Sequence, residues 1–74
     1  MSIFEVTPMI IRINGIEREV EDGMTLKTLL DFLKIKTHGI AVELNKEVVL
    51  KRLYAGTIIK ERDVLEIIRM AGGG

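Results

Sequence analysis

The chain contains no cysteine. Disulfides and zinc-thiolate sites are therefore excluded, and any sulfur chemistry must use sulfur supplied by a partner. Aromatic residues make up only 4% of the sequence, and eleven basic and eleven acidic side chains cancel to a formal net charge of zero. With neither a basic excess nor a set of stacking rings, there is no nucleic-acid footprint. His38 is the sole histidine. Without a cysteine or second histidine to share a metal or a proton, it reads as an ordinary loop residue. No apolar run is long enough to span a bilayer, so no membrane contact is expected. The start of the chain also lacks a basic region followed by a hydrophobic stretch, and a cytoplasmic protein is expected. Seventy-four residues allow one small domain with a single core and no deep catalytic cleft.

What the chain does contain is a series of short patterned segments. Pro8 lacks an N–H and biases its neighbour away from helix, so residues 1–8 read as an arm ahead of a domain over residues 9–71. Met9, Ile11 and Ile13 alternate with Ile10 and Arg12, and Asn14-Gly15 is a strong hairpin signal. Residues 16–20 return antiparallel, with Ile16, Arg18 and Val20 on one face and Glu17 and Glu19 on the other. Thr25 can cap a helix in which Leu26, Leu29, Leu30 and Leu33 recur at i, i+3, i+4 and i+7, and Gly39 can close the connection beyond it. Residues 40–44 alternate, Asn45-Lys46 turns, and residues 47–50 make another short strand. Residues 51–60 read as irregular, anchored by Tyr54, Ile58 and Ile59.

Residues 64–70 form the last strand, apolar on both faces as a central strand should be. Leu65 and Ile67 share one face, on which the leucine stripe is expected to pack together with Ile11, Val42 and Leu44. Ile68 and Met70 share the other, beside Ile10, with no second helix to cover them; these three are expected to bind partners. The strand leads into Ala71-Gly72-Gly73-Gly74. Glycines extend freely and can thread a narrow cleft, at an entropic cost that a partner must offset. Four extended residues reach roughly 13 Å, enough to carry a terminal carboxylate into another protein's active site. Taken alone, residues 72–74 are explained equally well as a frayed terminus.

Strand, turn, strand, helix and three further strands, with first and last adjacent and parallel, describe an α+β β-grasp (ubiquitin-like) fold. In it one main helix crosses a mixed sheet of about five strands. Within this order, Asn14-Gly15, Gly23-Met24-Thr25-Leu26 with Leu29-Leu30, Ala41-Val42 with Asn45, Val48-Val49, Asp63-Val64-Leu65-Glu66-Ile67 and Gly72-Gly73-Gly74 closely resemble the ThiS family. Those proteins are ubiquitin-like sulfur carriers of thiamine biosynthesis, and the resemblance covers residues 9–74. Two departures stand out: residues 1–8 lie upstream of the family's usual first strand, and Lys51-Arg52 occupies the place of a single arginine.

The resemblance implies that a ThiF-like adenylating enzyme joins the Gly74 carboxylate to AMP from ATP. A sulfur donor protein then converts it to a thiocarboxylate, and a ThiG-like thiazole synthase consumes the sulfur for the thiazole ring. Gly72 and Gly73 would thread the tail into these partners. The chain is then a co-substrate and not an enzyme, with no bound cofactor of its own; ATP and Mg²⁺ belong to the adenylating partner. An α-carboxyl ordinarily titrates at about 3.3–3.7, so it is ionised at neutral pH and able to attack the α-phosphate. The chain has no phosphate loop, because its glycine-rich stretch closes the sequence and opens no helix. Two alternatives share the pattern: a MoaD-like small subunit of molybdopterin synthase, and a ubiquitin-like modifier or interaction module. An independent enzyme fits worst, since Glu17, Glu19, Glu43 and Glu47 resemble solvated strand faces with no nucleophile and base beside them.

Overall fold

The computed structural model describes residues 7–70. The chain runs through β1 (Pro8–Ile13), β2 (Ile16–Glu21), α1 (Leu26–Phe32), β3 (Ile40–Leu44), β4 (Glu47–Val49), a 3₁₀ helix (Lys51–Gly56) and β5 (Val64–Arg69). All strands join one sheet in the order β2-β1-β5-β3-β4. β5 is parallel to β1 and antiparallel to β3. This is the β-grasp, with the last strand of the chain in the middle of its sheet.

Both hairpins turn through two consecutive left-handed residues: Asn14 (φ 51°) with Gly15 (φ 83°), and Asn45 (φ 53°) with Lys46 (φ 72°). Such turns match the twist of the strands that they join, and asparagine tolerates the left-handed region better than most residues. The first turn sets Ile13 opposite Ile16 and Met9 opposite Val20. Met9, Ile11, Ile13 and Val20 are thereby buried. Ile16 shares their face yet stays 67% exposed. The space beyond it is an open groove of about 370 Å³, shared with Arg18, Leu33 and Ile35, where the helix layer has ended. β1 starts at Pro8, one residue before the alternation begins, and the Thr7 carbonyl accepts the Asp22 N–H at 2.9 Å. Proline is tolerated as a strand's first residue, where its missing donor breaks no ladder bond.

Thr25 and Thr28 cap α1 reciprocally. The Thr25 hydroxyl accepts the Thr28 N–H at 3.1 Å, and the Thr28 hydroxyl accepts the Thr25 N–H at 2.8 Å, a capping box with threonine in the usual place of Glu or Gln. The helix ends in a Schellman motif: the Ile35 N–H donates to the Leu30 carbonyl at 2.9 Å and the Lys34 N–H to the Asp31 carbonyl at 3.0 Å. Lys34 takes the left-handed position (φ 60°) that glycine usually fills.

Leu26, Leu29 and Leu30 are fully buried and join Ile11, Val42 and Leu65 in one core, with Leu33, Leu44 and Ile67 packed at its margin. The core also takes in Tyr54 and Ile59, whereas Ile58 is half exposed and bridges Thr25. Residues 51–60 are therefore more ordered than their pattern implies. The 3₁₀ helix turns Tyr54 inward, and burial pushes its phenol pKa above the ordinary value. The Leu26 N–H then ties to the Thr57 carbonyl at 2.8 Å, and the Ile59 N–H to the Met24 carbonyl at 2.9 Å. Among the described residues no helix is long and apolar enough to cross a membrane.

Candidate functional site

The last strand is held from both flanks. β1 pairs with β5 only through Arg12 opposite Val64 and Ile13 opposite Leu65, because β1 then turns away at Asn14. The Asn14 side chain continues the ladder: its Oδ1 accepts the Ile67 N–H at 2.7 Å and its Nδ2 donates to the Ile67 carbonyl at 3.3 Å. On the other flank β3 pairs as far as Ile40 opposite Arg69, and the Met70 N–H donates to the Gly39 carbonyl at 2.9 Å. Asn45 clamps the start of β5, with Oδ1 accepting the Val64 N–H and Nδ2 donating to Asp63 Oδ1, each at 3.0 Å. The sequence marks both asparagines as turn residues only. Their second role has no local signal, since Asn14 reaches a strand 53 positions away.

Asn14→Gly keeps the left-handed turn while removing the clamp, so it isolates that role. With about 0.5–1.5 kcal/mol for each lost hydrogen bond, stability should fall by roughly 1–3 kcal/mol in urea unfolding, and Ile67 amide exchange should accelerate. Unchanged exchange at Ile67 would mean that the amide clamp contributes nothing.

Of the residues expected to bind partners, Ile10, Ile68 and Met70 are all exposed, and strand alternation puts Ile10 and Ile68 on the outer sheet face, away from α1. They do not form one patch. The Ile10 carbonyl accepts the Arg62 N–H at 2.7 Å, so Ile10 lies beside the beginning of β5 and Ile68 near its end. Six positions at about 3.3 Å each separate them by roughly 20 Å. The expected juxtaposition is corrected for a simple reason: alternation specifies which face a side chain takes, but not the register of a parallel pair. Ile68 instead sits beside Ala41. One step further across the sheet lies Leu50, the extended residue after β4, and Val48 stands next to it along that edge. Leu50, Val48, Ile68 and Met70 are each between 51% and 65% exposed except Ile68, at 44%. The larger apolar part of the outer face is thus toward the tail end of the sheet, with Ile10 and Val64 a smaller part at the other end.

The other candidate groups stay apart. His38 is an exposed loop residue before β3. Glu17 makes a solvent-exposed pair with Arg12 at 3.5 Å, and among the described residues no three His, Asp or Glu side chains gather as a metal site. Gly72, Gly73 and Gly74 lie outside the described residues, as do residues 1–6 of the expected arm.

The ThiS family model matches residues 11–74. The chain belongs to the ThiS family. The match to ThiS begins within β1 and takes in all three terminal glycines, so residues 1–10 precede it. The sulfur carrier protein ThiS of Thermus thermophilus is 34% identical over 62 residues, which are 84% of this chain and 95% of that protein. A crystal structure of the thiamine biosynthesis protein ThiS from Geobacter metallireducens superposes with a TM-score of 0.81 at 30% identity, covering 89% of this chain and all of that one. A thiazole synthase of Paramagnetospirillum magneticum is 42% identical over 62 residues, 84% of this ThiS-family chain. The matched stretch is only 19% of that synthase.

Proposed function

We propose that this protein is a sulfur carrier of thiamine biosynthesis, consumed and regenerated as a co-substrate by other enzymes. The observation that carries the reading is a ThiS-family match that extends through Gly74. It favours this role over the molybdopterin-synthase and modifier alternatives. A ThiF-like adenylating enzyme would hold ATP and Mg²⁺ in the cytoplasm. The Gly74 carboxylate attacks the α-phosphorus, pyrophosphate leaves, and an acyl-adenylate forms. The outer sulfur of a persulfide on the donor protein then attacks the acyl carbon and AMP departs. A thiol cleaves the S–S bond of the resulting acyl disulfide, which leaves the tail as a thiocarboxylate and the donor's sulfur in a disulfide. A ThiG-like thiazole synthase takes that sulfur. Support for this last partner comes from the Paramagnetospirillum magneticum thiazole synthase, a single polypeptide that contains a segment similar to this chain. The carrier's own contribution is presentation: a rigid β5 and a side-chain-free tail that fits a channel.

Intact-mass analysis of the protein expressed with its partners tests the reading, because exchanging one carboxyl oxygen for sulfur adds about 16 Da, as does oxidation of a methionine. Fragmentation must therefore locate the added mass at Gly74 and not at one of the four methionines. No mass gain at Gly74 in the presence of the partners would refute the carrier role.

The apolar end of the outer face, centred on Ile68, is the surface we assign to the adenylating enzyme, since exposed apolar patches of this kind mark interfaces. Ile68→Glu is expected to weaken that complex by about tenfold or more, the order of a hot-spot loss, with the fold intact. Ile10→Glu, at the other end of the face, should have little effect. Isothermal titration separates the cases: unchanged affinity for Ile68→Glu removes this surface from the interface.

A further inference from the structure

The helix side of the sheet carries a second surface, one that the tail chemistry does not use. Lys27, Asp31 and Lys34 follow one another along α1 and its C-terminal turn, the 3₁₀ helix supplies Lys51 and Arg52 across from them, and Lys36 lies between. Together they border an open groove of about 750 Å³ with Ile35, His38, Tyr54 and Ala55 in its lining. The single carboxylate, Asp31, is already paired with Lys27 at 3.1 Å. Among the described residues Lys34, Lys36, Lys51 and Arg52 make no ion pair.

Acidic side chains predominate on the outer face of the sheet, although Arg12 also lies there, paired with Glu17, and Glu47, opposite Leu44, takes the helix side. The strand register turns Glu17, Glu19, Glu21, Glu43 and Glu66 to the outer side. Arg18 and Arg69 border the neighbouring groove on the helix side. Among the described residues a chain of zero formal net charge thus presents a strongly basic concavity. Clustered like charges at a concave site raise the encounter rate with partners of opposite sign.

The position of the groove narrows what that partner is. His38 precedes Gly39, whose carbonyl accepts the N–H of Met70, the last described residue before the tail. The groove's lining therefore adjoins the residue that holds Met70, and a protein that draws the tail into its active site would bring the rim of its channel near these bases. Binding of single-stranded nucleic acid calls for a set of exposed stacking rings, whereas in this groove Tyr54 is 4% exposed and His38 is the single exposed ring. A basic rim over a partly apolar lining instead complements a carboxylate-rich protein surface.

We propose that this groove docks an acidic surface of the thiazole synthase, beside the channel that receives the tail. The proposal rests on the sulfur-carrier reading. The thiazole synthase is the partner of choice because one such enzyme carries a similar segment within its own chain. In addition, the apolar surface around Ile68 lies on the opposite side of the sheet, which leaves different faces for the two enzymes that handle the tail in turn.

The test uses the full chain with its C-terminal thiocarboxylate installed by ligation, so that adenylation is bypassed, and compares the parent with the triple variant Lys36→Glu/Lys51→Glu/Arg52→Glu. All three positions are exposed, and circular dichroism and melting should match the parent. With the cognate thiazole synthase at about 50 mM salt, the KM for the carrier should rise at least about tenfold at unchanged kcat, and the gap should narrow near about 500 mM, as screening predicts. ATP–pyrophosphate exchange with the adenylating enzyme should not change. Equal KM values for parent and variant overturn the proposal, and so does a deficit that salt leaves untouched. Retention of a labelled oligonucleotide by the parent but not by the variant, at equal KM, would reassign the groove to nucleic acid. If the parent thiocarboxylate itself delivers no sulfur, the carrier reading fails; delivery by both proteins alike removes the groove alone.

Discussion

Deletion of Gly74 is expected to lower ATP–pyrophosphate exchange with the adenylating enzyme by roughly 100-fold or more while leaving the melting temperature of the carrier unchanged. The truncated chain still ends in a glycine carboxylate, so the chemistry of the reacting group is preserved. Its position is not. One extended residue is about 3.3–3.6 Å, and misplacement of a reacting atom by even about 1 Å can cost two orders of magnitude. The rigid end of the ruler is β5, held by Asn14 on one flank and by β3 on the other as far as Met70. On the carrier reading, the partner would measure the tail from this fixed base. Addition of one alanine after Gly74 should be as harmful, since it moves the carboxylate outward and adds a Cβ that a channel fitted to glycine would not admit. Exchange at the parental rate by either variant would show that tail length is not gauged, and the carrier reading would lose its main physical support.

Leu30→Ala should produce the largest loss of stability. Leu30 is fully buried in the cluster with Ile11, Val42 and Leu65. Truncation of such a leucine costs about 2–5 kcal/mol through lost burial and the cavity left behind. A domain of 74 residues has only roughly 4–11 kcal/mol in total. Urea unfolding should accordingly show a midpoint displaced far toward zero denaturant. The same change at Leu33, which caps the helix and is only partly buried, should cost clearly less. A near-neutral Leu30→Ala would mean that the leucine stripe does not define the core.

Local periodicity made the strands, the capped helix and the core legible in the sequence. Alternation in β1 and the spacing of Leu26, Leu29 and Leu30 each report burial on one side of a regular element, and the structure buries those side chains. Register is another matter. Nothing near Ile10 specifies that Arg62 lies beside it, so the patch expected around Ile10, Ile68 and Met70 dissolves into two ends of a face. Residues 51–60 hid their 3₁₀ helix because one short turn holds a single inward side chain, Tyr54, and one position has no period. The basic groove was invisible for a related reason: its cations come from residues 27 to 52 and are gathered by tertiary packing of the helix against the 3₁₀ turn.

The central position of β5 also has a mechanical meaning. A partner that grips the glycines and draws them taut pulls β5 along its own axis. The hydrogen bonds to β1, Asn14 and β3 lie across that axis on both flanks, so tension loads them together in shear. An edge strand pulled sideways would instead unzip, one bond at a time. A domain built this way can be held under load through the end of β5 without being peeled open, which suits an anchor that, on the carrier reading, is drawn on by more than one enzyme.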